Sequence, residues 1–161
     1  VISFVIHFHS EIRGDMMKKV YHAHCFRDLL VYQKAQEVAE SIFEKSKNFP
    51  REELFALTDQ IRRASRAIGA QLAEAWGKRR YEKHFISKLT DADAEQLETQ
   101  HWLGIAVSCG YLSKVDEEKL LDQLKEIGRM INGMMLKANL FCGQEVFKIQ
   151  EETEIFSIKN H

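Results

Sequence analysis

Between Ile61 and Leu89 the chain sets eight cations, Arg62, Arg63, Arg66, Lys78, Arg79, Arg80, Lys83 and Lys88, against two acids, Glu74 and Glu82. Cations at that density suit the neutralisation of phosphates along a nucleic-acid backbone. Arg62 and Arg66 lie one helical turn apart and could meet successive phosphates, while Tyr81 follows Arg79 and Arg80 closely enough to offer a ring to a base. Arg62, Arg63, Arg66, Lys78, Arg79, Arg80 and Lys83 are therefore the candidate nucleic-acid-binding residues, for RNA or DNA. A competing reading makes them a solvated helix face, with Arg62 and Arg66 paired to acids such as Asp59 across the fold or between subunits. The formal net charge of -1 exerts no long-range pull on nucleic acid, so any such binding has to be local.

Other chemistries find less support. Glu98-Thr99-Gln100-His101 is a Glu-x-x-His motif of the kind that holds di-iron centres inside helical bundles, but such a centre needs two of these motifs. His84 has Tyr81 three places earlier, and no second motif exists. His22-Ala23-His24-Cys25 could grip a metal together with His7 and His9, and a tail with incidental histidines is the competing reading. Cys25, Cys109 and Cys142 are odd in number, widely spaced and without C-x-x-C spacing, which points to a reduced cytoplasmic protein. The chain has no Gly-rich phosphate loop and no nucleophile elbow. We expect no catalytic residue, no metal, no cofactor and no enzymatic activity.

The elements that would position the cations are helical. With one proline in 161 residues and few turn dipeptides, the chain lacks the punctuation of short strands. No apolar run approaches the roughly 18 residues of a membrane helix, so a soluble protein without a membrane partner is expected. The first helix is expected from about Phe26 to Lys47, with Leu30, Ala35, Val38, Ile42 and Phe43 inward. The second should begin near Pro50 and run to about Lys78 on the seam Leu57, Ile61, Ala64, Ile68, Leu72, Ala75. The third spans about Tyr81 to Cys109 on Phe85, Leu89, Ala92, Gln96, Thr99, Leu103 and Ala106, with Gly110 as a left-handed stop. The fourth runs from Ser113 to about Leu140 on Leu120, Leu124, Ile127, Ile131, Met134, Ala138 and Phe141. Helices of roughly 20 to 28 residues span about 30 to 40 Å at 1.5 Å per residue, and similar lengths with tight turns imply antiparallel neighbours. The expected fold is an all-α, up-down-up-down four-helix bundle occupying residues 26–143.

Two features extend this reading to assembly. Gly69, Gly104, Gly128 and Gly133 inside helices are expected to mark close backbone approach. Leu54, Phe55, Trp76, Ile86, Trp102, Ile105, Leu121 and Met135 widen the apolar stripes, which implies either a homo-oligomer or a core broader than the ideal seams.

Several ordered phrases carry a family resemblance: Phe26-Arg27-Asp28-Leu29-Leu30-Val31-Tyr32-Gln33-Lys34-Ala35, Asn48-Phe49-Pro50-Arg51-Glu52-Glu53, Gln60-Ile61-Arg62-Arg63-Ala64, Glu95-Gln96-Leu97-Glu98-Thr99-Gln100, Gly110-Tyr111-Leu112, and Glu126 to Met134. Over about Phe26 to Phe141 the chain resembles the four-helix bundle proteins encoded in intervening sequences of bacterial 23S rRNA genes, once labelled S23 ribosomal proteins. The resemblance implies a ring-like homopentamer without known enzymatic activity. It also implies kinship with the accessory variability determinant of diversity-generating retroelements, a basic pentamer that binds nucleic acid and its reverse transcriptase. A reverse transcriptase is thus an implied partner. One phrase departs from the family pattern. Where Ile-Pro-x-Asn-Ile-Ala-Glu-Gly is usual, this chain reads Ile68-Gly69-Ala70-Gln71-Leu72-Ala73-Glu74-Ala75, without the proline kink or the asparagine.

Both ends read as peripheral: residues 1–25 as an N-terminal extension and residues 144–161 as a tail, a docking strand or a docking helix. Ile12-Arg13-Gly14-Asp15-Met16-Met17 can be encoded with a purine-rich ribosome-binding sequence just ahead of two start codons. Translation is therefore expected to begin at Met16 or Met17. The intact mass of protein expressed from its own gene should lack Val1 to Asp15, and a mass that includes them contradicts this start.

Overall fold

Four stretches with apolar residues at alternating steps of three and four fold into α1 (Leu30–Ser46), α2 (Leu57–Lys78), α3 (Glu82–Ser108) and α4 (Lys114–Leu136). The structure is a computed structural model that describes residues 23–142, and the readings made above for residues 1–22 and 143–161 lie outside the described residues. Short 3-10 turns at Phe26–Asp28, Arg51–Glu53 and Ala138–Leu140 flank the helices, and no strand occurs among the described residues. Helix α1 packs on α2 and α4, α2 on α3, and α3 on α4, with the most extensive pairing between α2 and α3. This closes a four-helix bundle around one apolar core. Lys34 pairs with Glu126 at 3.0 Å and Lys45 with Asp116, while Phe85 stacks on Phe141 and Gln96 meets Gly128.

The expected seams of α2, α3 and α4 are buried at every position, including the polar Gln96 and Thr99 and the post-helical Ala138 and Phe141. Each such aliphatic or aromatic side chain contributes roughly 1.5–3 kcal/mol on leaving water. Thr99 satisfies its hydroxyl on the carbonyl of Glu95 at 2.8 Å, and Gln96 accepts from the Gln100 amide at 2.6 Å. The seam of α1 differs from expectation at its ends. Leu29 takes an extended conformation at the N-cap, which turns Leu29 and Val31 inward and leaves Leu30 exposed. Phe43 is half-buried, and cations cover its ring.

Helix α2 does not begin at Pro50. The chain makes a 3-10 turn there, Ala56 leaves helical geometry at φ -117° and ψ -106°, and α2 starts at Leu57. Phe49 is buried beside Tyr111 at that turn, and the Glu53 carboxylate accepts from the Leu57 amide at 3.3 Å. A helix running straight from Pro50 would skip the bend that returns α2 against α1. The bend leaves Leu54 and Phe55 in solvent.

Two helix ends match their sequence signals. Gly110 has φ +75°, its amide bonds the Val107 carbonyl and the Tyr111 amide bonds that of Ala106, the paired bonds of a Schellman stop. Ser113 caps α4 by accepting from the Asp116 amide at 3.1 Å.

Of the interior glycines, only Gly128 sits at a close approach: a Cβ there would lie 3.0 Å from the Gln96 amide nitrogen. Gly69 and Gly104 leave room for ordinary contact, with the Tyr32 ring and the Glu117 carboxylate, and Gly133 faces open space. Gly133→Ala should therefore stabilise the protein by roughly 0.5–1 kcal/mol through helix propensity alone, and Gly128→Ala should fall below it because Gln96 must move. Urea unfolding midpoints of the two variants check the order.

Candidate nucleic-acid interface

The sequence-predicted cations separate into two clusters. In the first, at the α1–α2 seam, the guanidiniums of Arg62 and Arg66 lie 4.8 and 5.5 Å from the centroid of the Phe43 ring, with the Lys47 ammonium at 4.8 Å. Arg62 is held in place by donating from Nε to the buried Ser46 hydroxyl at 2.7 Å, and that hydroxyl donates to the Phe43 carbonyl. Lys47 is compensated by Glu44. Arg62 and Arg66 make no salt bridge among the described residues, so the competing reading's pairing with Asp59 does not form within the chain. Asp59 instead lies 3.8 Å from Arg63, one turn away on an exposed face. An aromatic ring can hold these guanidiniums with roughly 0.5–1 kcal/mol each without neutralising them. They remain available to an anion.

The second cluster is the α2–α3 corner. Gly77, Lys78, Arg80, Tyr81 and His84 line an open concavity of about 440 Å³. Tyr81, the extended N-cap of α3, is 63% exposed and tilts over His84 at 5.5 Å. Lys78, Arg80 and Lys83 are exposed around it. Arg79 points elsewhere: its guanidinium lies 3.9 Å from the Trp76 ring and donates to the Trp76 carbonyl at 2.6 Å. Burial lowers its pKa from the usual guanidinium value. Arg79 thus completes the end of α2, a role its place beside Arg80 did not announce. Lys88, counted in the basic run, is neutralised by Glu74 at 2.8 Å and Asp91 at 3.2 Å.

Sequence reasoning missed Phe43, Ser46 and His84 as parts of these clusters. Phe43 and Ser46 carry a signal only through α1–α2 register, which the sequence does not display. His84, three residues after Tyr81, was legible as an i,i+3 neighbour on α3.

This fold and its basic corner can be set beside known proteins. Residues 27–133 match the model of the 23S rRNA-intervening sequence protein family. The chain belongs to that family. A solved structure from Bacteroides thetaiotaomicron, described as a protein with unknown function from the S23 ribosomal protein family, is similar at 28% identity and a TM-score of 0.60. The likeness covers 66% of this chain and 95% of that one. No match was found among curated proteins. Within this family member the segment that departs from the usual pattern is an unbroken part of α2. Gln71, at the place of the family's asparagine, accepts from Lys88 at 3.1 Å, and Gly69 lies against Tyr32.

Among the described residues no three or more His, Cys, Asp or Glu side chains are grouped to hold a metal ion. Glu98 of the Glu-x-x-His motif accepts from the Trp102 indole at 3.0 Å, and His101 packs edge-on against Trp102. The Cys142 thiol is buried, and burial followed by the nearby Glu82 charge raises its pKa to about 11. Since the thiolate is the reactive form, iodoacetamide at pH 8 should alkylate exposed Cys109 at least about 100-fold faster than Cys142. Peptide mass mapping over a time course checks this.

Proposed function

We propose that this chain is a non-enzymatic, cytoplasmic, homo-oligomeric bundle that binds RNA or DNA through the α2–α3 corner. The observation that carries the reading is the concavity in which Lys78 and Arg80 flank an exposed Tyr81 with His84 behind it. Cations beside an accessible ring suit an unpaired nucleotide, whose phosphate and base they engage together. The opposed numbering of paired residues supports antiparallel, up-down-up-down helices, which put the α2–α3 corner at one end of the bundle. Repetition of that corner in a ring-like pentamer multiplies a weak contact into a useful one. Family membership and the resemblance to the accessory variability determinant support the pentamer.

A second reading, a protein scaffold or accessory subunit of a reverse transcriptase, is favoured by Phe55, which stands 91% exposed at the α1–α2 bend. A large aromatic ring in that position fits a protein partner better than a phosphate. Salt separates the two readings. Binding of a structured RNA with single-stranded loops should weaken on the order of tenfold or more between about 50 and about 200 mM salt. The double substitution Arg80→Glu, Lys83→Glu should abolish retention of that RNA while leaving oligomer mass unchanged. Unchanged retention would remove the corner from consideration and leave the scaffold.

A further inference from the structure

From Thr90 to Ser108, the exposed face of α3 opposite its core seam carries a single charged residue, Glu98. A solvated helix normally carries its charged residues there. Here the face is formed by Thr90, Ala94, Leu97, Glu98, His101, Ile105 and Ser108, with Leu97 55% and Ile105 37% exposed. Of the eight residues expected to widen the apolar stripes, Trp76, Ile86, Trp102, Leu121 and Met135 turn out to pack partly buried against the core. They widen the core, with part of each side chain still accessible. Leu97 had not been singled out, and it adds to Ile105 on this outward face.

Along one edge of that face run Glu95 and Glu98, one turn apart, and neither makes a salt bridge among the described residues. Glu98 is held by the Trp102 indole. Burial, and then the charge of Glu98, push the pKa of Glu95 upward, against a smaller opposing pull from Arg63 of α2. On another face, Arg62 and Arg66 are likewise one turn apart, pre-positioned on Phe43, and without a carboxylate. The chain therefore displays an acidic pair on α3 and a basic pair on α2, and neither pair makes a salt bridge among the described residues.

We propose that the Glu95–Glu98 edge of α3 in one copy docks on the Arg62–Arg66 pair of a second copy, with the exposed α3 face covered in the contact. This rests on the homo-oligomeric reading above and names its surfaces. Two different patches joined between identical chains make a heterologous contact, which closes into a ring when the rotation allows. Such a contact accounts for uncompensated arginines beside a packing seam. It also assigns the two basic clusters separate roles, Arg62 and Arg66 to assembly and the Arg80 corner to the nucleic-acid ligand.

The test is a charge swap on the full chain, read by light scattering at matched concentration, with circular dichroism to confirm helicity. Arg66→Glu alone and Glu98→Arg alone should each raise the dissociation constant of assembly by about tenfold or more, and the double variant Arg66→Glu, Glu98→Arg should restore wild-type mass. If neither single variant changes the mass, or if both dissociate and the double variant stays dissociated, the proposed contact is wrong. A wild-type protein that is monomeric at every concentration fails earlier, at the homo-oligomeric reading itself. Loss of RNA retention by Arg66→Glu at unchanged mass would return the Arg62–Arg66 pair to the nucleic-acid interface.

Discussion

Four apolar seams, one per helix, must be hidden together, and the rest of this molecule follows from that requirement. Each helix contributes a row of side chains at alternating steps of three and four, and the rows meet in a core where Val38, Ile68, Phe85, Leu89, Leu103, Leu124, Ile127 and Ile131 are essentially inaccessible. Polar interruptions are tolerated where a partner is at hand. Gln96 fits because Gly128 presents no side chain opposite it, and Thr99 bonds back to its own helix. Glu117 is buried at the start of α4, where it meets Lys114 and where a helix N-terminus favours an acid.

Because the core takes only one face of each helix, the opposite faces are free to carry function, and packing decides which cations can act. The same run of arginines and lysines is sorted into different states by neighbours from other helices. Lys88 is neutralised across the α2–α3 seam, Arg79 is folded onto Trp76, and Arg62 and Arg66 are stacked but not discharged. The difference is chemical. A carboxylate cancels a guanidinium's charge, whereas an aromatic ring fixes its position and leaves the charge intact. A basic run of sequence thus becomes a small set of oriented cations, and the exposed Tyr81 gives the corner cluster an aromatic surface that the stacked pair lacks.

Within the segment that places the chain in the 23S rRNA-intervening sequence protein family, α2 runs unbroken from Leu57 to Lys78. Without a proline the helix continues unbroken past Gly69, and the side-chain carbonyl of Gln71 ties α2 to Lys88 on α3 by accepting from its ammonium. That tie, with the Glu74 ion pair beside it, reinforces the most extensive helix pairing in the bundle.

Much of the fold was legible in local spacing. The seams of α2, α3 and α4 are buried as the period requires, Gly110 ends α3 and Ser113 opens α4, because periodicity, a left-handed glycine and a capping hydroxyl all act within one or two turns of chain. The misreadings have physical causes. The late start of α2 and the open space at Gly133 depend on how one helix sits against another, while the exposure of Leu30 follows from the extended Leu29 cap. Spacing along a single helix does not encode that offset. By itself, then, the amino-acid order determined which face of α2, α3 and α4 turns inward and where α3 ends and α4 begins. Only the tertiary structure decided which arginines keep their charge exposed, since that depends on whether a carboxylate or an aromatic ring arrives from a distant part of the chain.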